Sequence, residues 1–300
     1  IGGEKYHFTD GKMDTGWIND NGDIYYLSED EATLGAVKTG WVYINDVDED
    51  DQDILAEEEG WYYFGNTGKM LANQEKKING EYYVFDENGL MLDNWVAFTT
   101  GDTATDSNAS AAETIYKYYK DGDGDRVDGW KYLDEMTEDE GRATEEGWYY
   151  FKNGVPYSAT INTTPIAEGY GVAKIDGKIY CFDENGLMVT GRVDADNGTY
   201  FYFDEDLSDG SMKYGKVQIE NSDDFEDGTY YFDDKGALGV KGASKTGVIK
   251  DYLYDNGALV TADEDMKYAR VEVDGLVYMV NESGKIKKSG TVKDGDDVKW

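Results

Sequence analysis

One short phrase recurs along this chain of 300 residues: an aromatic strand, a polar turn with Gly, then Gly-x-Met or Gly-x-Leu. Tyr62-Tyr63-Phe64 runs into Gly68-Lys69-Met70, Tyr83-Val84-Phe85 into Gly89-Leu90-Met91, Tyr180-Cys181-Phe182 into Gly186-Leu187-Met188, and Tyr230-Tyr231-Phe232 into Gly236-Ala237-Leu238. The phrase returns after roughly 20 residues, or roughly 30 where the unit carries an insertion; this suits a β-hairpin and its connection and is too short for two helices and their turns. A unit of that size cannot bury its own hydrophobic face, so it stacks on its neighbours. The expectation is an all-β array of hairpins, one elongated domain over residues 1–300, with insertions near 44–59, 97–128 and 155–170.

The strand phrase has two faces, because residues two apart point the same way. Its second and fourth positions are apolar in every copy, as in Tyr25/Leu27, Tyr62/Phe64, Tyr149/Phe151, Phe201/Phe203 and Tyr252/Tyr254. These positions predict the spine. The first and third positions drift from Trp61/Tyr63 and Trp148/Tyr150 through Ile179/Cys181 to Asp251/Leu253. A face that admits Asp251 reads as dispensable for folding, and where it stays aromatic it becomes a candidate ligand surface.

The 64 acidic against 28 basic residues give a formal charge of −36. Such a surface repels phosphate backbones and anionic headgroups, which argues against nucleic acid and direct membrane insertion and for cationic groups or neutral glycans. Cys181 is the sole cysteine and sits in an apolar strand, so it reads as a small buried hydrophobe with no disulfide to make. The start at Ile1-Gly2-Gly3, without Met, reads as a trimmed form whose address label has been removed.

Six of the seven tryptophans lie at or before Trp148. Trp17, Trp41, Trp95 and Trp130 follow the hairpin phrase, in contexts such as Thr15-Gly16-Trp17 and Thr39-Gly40-Trp41, whereas Trp61 and Trp148 open a Trp-Tyr-Tyr-Phe strand. This alternation of Gly-Trp, Trp-Tyr-Tyr-Phe and Gly-x-Met resembles the choline-binding, or cell-wall-binding, repeats of Gram-positive surface proteins, the related glucan-binding repeats and the carboxy-terminal repeats of clostridial toxins. The resemblance implies a β-solenoid of hairpins, secreted and held noncovalently at the cell surface. It further implies that a quaternary ammonium, such as the choline of teichoic acid, sits among aromatics of successive repeats with a Met nearby. The matching positions are Trp17 with Tyr26 and Trp41, then Trp41 with Trp61 and Tyr63, and Trp130 with Trp148 and Tyr150. Trp95 fills the Gly-Trp place through Asn94-Trp95, and Met13, Met70 and Met91 fill the Gly-x-Met place. Departures occur after Met70, where Asn73-Gln74 stands, and after Met188, where Gly191-Arg192 stands.

Other chemistries fit the inventory poorly. Asp121-Gly122-Asp123-Gly124-Asp125 alternates like a calcium loop, but the signature then asks for Gly at Arg126 and Glu at Tyr132. With His7 as the lone histidine, histidine-paired nucleophiles and multi-histidine metal sites are excluded from the body of the array. Asp86-Glu87-Asn88-Gly89 and Asp183-Glu184-Asn185-Gly186 read as hairpin turns rather than paired catalytic acids. No enzyme activity, cofactor or metal is expected. Three uses remain open: a cell-wall choline or glycan anchor, a stalk or adhesin that presents a surface to a host or partner protein, and the anchor of a catalytic domain elsewhere in a longer parent.

Overall fold

The computed structural model describes residues 3–45, 58–100, 113–134, 145–234, 242–292 and 298–299. Among them every regular element is a β-strand, arranged in small antiparallel sheets with one parallel pairing, Tyr268–Val273 with Val298–Lys299. Of the expected insertions, residues 46–57 of 44–59 and 101–112 of 97–128 lie outside the described residues. At 155–170 the chain is not a plain loop: Thr164–Ala167 pairs with Tyr170–Ile175 across a register shift between Pro165 and Ala167.

The described residues form two compact units, the first holding 3–45, 58–100, 113–129 and 151–156, the second 130–134, 145–150, 157–234, 242–292 and 298–299. In the first unit, hairpins pair Gly16–Asp20 with Asp23–Leu27, Gly40–Ile44 with Gly60–Phe64, Gln74–Ile78 with Glu81–Phe85, and Asn94–Thr100 with Glu113–Tyr119. The second unit repeats the plan with Tyr170–Ile175 and Lys178–Phe182, Gly191–Asp194 and Tyr200–Phe203, Gly215–Ile219 and Gly228–Phe232, Gly247–Ile249 and Tyr252–Asp255, and Tyr268–Val273 and Leu276–Val280. Tight turns close several hairpins. Asn21-Gly22 and Asp176-Gly177 both take positive φ at the two central residues, the type I′ geometry whose twist matches that of the strands.

Within each unit, one hydrogen bond ties a hairpin to the segment that follows its successor. The N–H at or near the Gly-x-Met place donates to the carbonyl of an earlier strand's first position: Met70 to Ile24 at 2.8 Å and Arg126 to Tyr82 at 2.8 Å in the first unit, Met212 to Ile179 at 2.7 Å, Ser244 to Tyr200 at 2.8 Å and Ile286 to Asp251 at 2.9 Å in the second. Stacking of hairpins therefore uses backbone as well as side chains.

The spine is narrower than the sequence suggests. The fourth position, Leu27, Phe64, Phe85, Phe151, Phe182, Phe203, Phe232, Tyr254 or Val280, is buried in every copy. The second is buried at Tyr62, Tyr149, Phe201 and Tyr230 but only half-buried at Tyr25, Tyr83, Tyr180, Tyr252 and Tyr278. The opposite face is less dispensable than expected, since its third position is buried at Val84, Cys181, Tyr202, Tyr231 and Leu253. Cys181 is fully buried beside Val193 and Phe203, and burial pushes its thiol up to about 12, which leaves it an inert apolar filler.

Candidate functional site

The same aromatic pocket is built twice, once in each unit. In the first, Trp41, Trp61, Tyr83, Met91, Gly122 and Asp123 line an open pocket of about 300 Å³. In the second, Trp130, Trp148, Tyr180, Met188, Leu207, Ser208 and Asp209 line one of about 310 Å³.

One tryptophan of each pocket packs on a tyrosine of its own hairpin. Trp41 stands opposite Tyr63 in the hairpin register, with ring centroids 5.1 Å apart, and Trp130 meets Tyr150 at 5.1 Å. The next hairpin closes one side edge-on, Tyr83 at 4.8 Å from Trp41 and Tyr180 at 4.7 Å from Trp130. The buried Phe85 and Phe182 lie behind, at 5.8 and 6.0 Å. Trp61 forms the other wall, 6.4 Å from Trp41 and 40% exposed, so its ring face is available to a ligand.

Both walls are propped alike. Tyr43 packs edge-on against Trp61 at 5.2 Å while its hydroxyl donates to Glu59 at 2.8 Å; Tyr132 packs against Trp148 at 5.5 Å and donates to Glu146 at 2.6 Å. Those carboxylates hold both phenols above their ordinary pKa. Tyr62 and Tyr149 fix the same turn by donating to the Glu58 and Glu145 carbonyls. The identical runs Glu58-Glu59-Gly60-Trp61-Tyr62-Tyr63-Phe64 and Glu145-Glu146-Gly147-Trp148-Tyr149-Tyr150-Phe151 encode this common frame.

The remaining wall comes from a loop further along the chain. A Cβ at Gly124 would come within 2.4 Å of Met91 Sδ, and one at Gly210 within 2.5 Å of Met188 Cε, and both glycines have positive φ. Glycine thus lets the loop close on the methionine and present the preceding Asp123 or Asp209 to the rings. In the first pocket, Tyr83 is raised first by burial and then by the fields of Asp125 and Glu81. In the second, Ser211, Lys178 and Lys213 hydrogen-bond Asp209 and hold its carboxyl far below the ordinary range.

Of the expected site residues, Trp41 and Trp61 line the first pocket and Trp130 and Trp148 the second, while Tyr63 and Tyr150 pack edge-on against Trp41 and Trp130 without lining either pocket. Trp17 pairs with Tyr26 at 5.1 Å but turns to Tyr62 and Phe64, at 5.4 and 5.8 Å, rather than to Trp41, because the following hairpin packs beneath it. Met70 packs on the cluster of Ile44, Tyr62 and Phe64. Trp95 is buried against Tyr118 and Phe151 and works as core. Residues beyond 150 complete the second pocket with Tyr180, Met188 and Asp209. Tyr83, Tyr180 and the propping Tyr43 and Tyr132 lie outside the expected set; for Tyr43 and Tyr132 the shared Gly-Trp-x-Tyr run at Gly40–Tyr43 and Gly129–Tyr132 carries the signal.

The Asp121–Asp125 loop serves the first pocket: the Gly122 N–H donates to Asp93 at 2.6 Å, and Asp125 binds Lys120 at 2.6 Å. Among the described residues no group of three or more His, Cys, Asp or Glu side chains is placed to hold a metal ion. Asp86 and Asp183 accept backbone N–H groups of their own turns, Asp86 from Asn88 and Leu90, Asp183 from Leu187, as turn residues do.

Comparison with known proteins agrees with this reading of the repeats. A family described as a putative cell wall binding repeat matches residues 15–32 and 57–70. Glucosyltransferase-S of Streptococcus mutans serotype c is 24% identical over 238 residues, covering 79% of this chain and 13% of that protein. Glucosyltransferase-I of Streptococcus downei is 29% identical over 160 residues, covering 51% and 9%. Toxin B of Clostridioides difficile is 34% identical over 70 residues, covering 23% and 3%. The chain thus spans a small fraction of the length of these relatives. Among solved structures, choline binding protein F from Streptococcus pneumoniae aligns over 95% of this chain and 96% of its own, at 20% identity and a TM-score of 0.39. Residues 15–32 and 57–70 are thus similar to cell-wall-binding repeats, the type that the aromatic phrase resembles.

Proposed function

We propose that this chain is a noncatalytic binding module, a single array of hairpins of the β-solenoid type, which attaches noncovalently to a cell-wall polymer at the surface of a Gram-positive cell. The observation that carries the reading is the duplicated pocket, in which two tryptophans, a tyrosine, a methionine and an aspartate converge in both units. Ring faces at right angles with a carboxylate beside them suit a quaternary ammonium such as the choline of teichoic acid. Each ring contact with a cation contributes about 0.5 to 2 kcal/mol, and two sites on one chain gain by multivalency along a repeating polymer. A neutral glucan is the second reading, supported by the two glucosyltransferase relatives, because sugar C–H faces pack on the same rings.

Titration with choline and with a soluble α-glucan, read by tryptophan emission and calorimetry, tests the proposal. The expected result is two equivalents of choline per chain, with Trp61→Ala and Trp148→Ala each removing one while the far-ultraviolet circular dichroism is unchanged. Unchanged emission with both ligands overturns the proposal and favours a stalk or adhesin with a protein partner.

A further inference from the structure

The two pockets share their rings and differ in the charges around them. In the second, Asp209 Oδ1 accepts from Lys178 Nζ at 2.9 Å and Oδ2 from Lys213 Nζ at 2.9 Å, so both carboxylate oxygens are occupied by cations. Lys213 also binds Asp204 at 2.6 Å, and Asp206 lies close enough to feel Asp209. Lys178 has Asp209 as its one ion-pair partner among the described residues, and its side chain is 55% exposed and close enough to feel the lining Tyr180. Of its three ammonium donors, two are left for an incoming anion.

The first pocket replaces both lysines. Lys178-Ile179-Tyr180 aligns on Glu81-Tyr82-Tyr83, and Asp209-Gly210-Ser211-Met212-Lys213 aligns on Asp123-Gly124-Asp125-Arg126-Val127, so Glu81 and Val127 stand where the second pocket has Lys178 and Lys213. Asp123 forms no ion pair among the described residues, and Lys120, paired with Asp125 at 2.6 Å, is a single cation near Tyr83 against the three acids Glu81, Asp123 and Asp125. Glu81 and Asp123 both act on Tyr83, which places their negative charge at the pocket. Arg126 points elsewhere, stacked 4.1 Å over Tyr82 with its guanidinium on Glu75 at 3.0 Å.

We infer that the two pockets sort ligands by charge: the Trp41 pocket prefers a methylated ammonium with no attached anion, and the Trp130 pocket prefers one that carries an anionic group, which Lys178 receives. The inference rests on the reading that both pockets take a methylated ammonium. The aromatic frame supplies affinity for the ammonium in each, and the residue at 81 or 178 decides whether a neighbouring phosphate is repelled or bound.

Calorimetric titrations of the full chain with choline and with phosphocholine test this, using Trp148→Ala to isolate the first pocket and Trp61→Ala to isolate the second. The preference for phosphocholine over choline is expected to be about threefold to tenfold greater in the Trp61→Ala protein, as one or two partly exposed charge contacts supply. Adding Lys178→Glu to Trp61→Ala is expected to abolish that excess, and adding Glu81→Lys to Trp148→Ala to create it, with the melting temperature as the check on folding. Equal preferences in the two pockets, or a preference that ignores residues 81 and 178, overturn the inference and leave the anchor reading standing. Failure of the unsubstituted chain to bind either compound overturns both.

Discussion

The hairpin of Trp41 and the hairpin of Arg192 share a backbone plan and use it in opposite ways. In both, the residue after the first-strand Gly stands across from a tyrosine: Trp41 opposite Tyr63, Arg192 opposite Tyr202. Trp41 leaves its strand neighbour Trp61 exposed and an open pocket in front. Arg192 instead lays its guanidinium 4.0 Å over Tyr200, the residue in the place of Trp61, and fastens it through Nε and Nη2 to Asp194 at 2.9 and 2.7 Å. Phe225 packs on Tyr200 and Tyr202, at 5.6 and 5.1 Å, and both tyrosines become core. One hairpin leaves its rings open, and the other covers its own with a cation. The buried fourth position is common to both, so what decides between them is the residue after Gly and what covers the first strand position.

The sharpest way to break this comparison is to remove the part held in common. Phe64→Ala and Phe203→Ala each delete a fully buried ring, and each is expected to destabilise its unit by about 3 to 5 kcal/mol, measured by urea unfolding followed by circular dichroism. Comparable losses confirm that the spine is indifferent to the pocket. A loss confined to one of them means that the fourth position does not play the same part in the two hairpins.

Alkaline pH probes the same equivalence with less force. Burial raises Tyr62 in the first unit and Tyr200 in the second from 10.0 to about 12, with Arg192 drawing Tyr200 part of the way back. A tyrosine with a raised pKa keeps its proton longer in the folded chain than in the unfolded one. Its contribution is therefore fully present below pH 10 and is lost as pH rises toward about 12. Denaturant midpoints measured at intervals from pH 8 to pH 11.5 are expected to hold steady and then fall. A flat profile through that range contradicts the burial of both phenols.

Much of this fold was legible in the sequence, because the recurring fourth-position aromatic and the Asn-Gly and Asp-Gly turns act locally, through strand alternation and turn geometry. The Trp-Tyr-Tyr-Phe strands likewise marked where the pockets would form. The third walls were not legible: Asp123 and Asp209 come from loops far beyond the tryptophans they face, and only packing of successive hairpins brings them there. The role of Arg192 was hidden for a similar reason. Its sequence shows only a departure from Gly-Trp, whereas the structure lays its guanidinium over Tyr200.

Arg192→Ala gives the smallest expected effect and bears most directly on the contrast between open and self-filled hairpins. Loss of the guanidinium removes a cation–π contact and two hydrogen bonds to an exposed aspartate, so the second unit is expected to lose about 0.5 to 2 kcal/mol. Emptying the slot is not expected to create a third ligand site. Tyr200 remains anchored through its hydroxyl to the Asn256 carbonyl, and Phe225 still covers both tyrosines. Calorimetry with choline is therefore expected to return the same stoichiometry as the unsubstituted chain. A third equivalent appearing in Arg192→Ala would instead show that the arginine alone keeps this hairpin from binding, and that the covering of Tyr200 is a consequence of the filled slot rather than a cause of its closure.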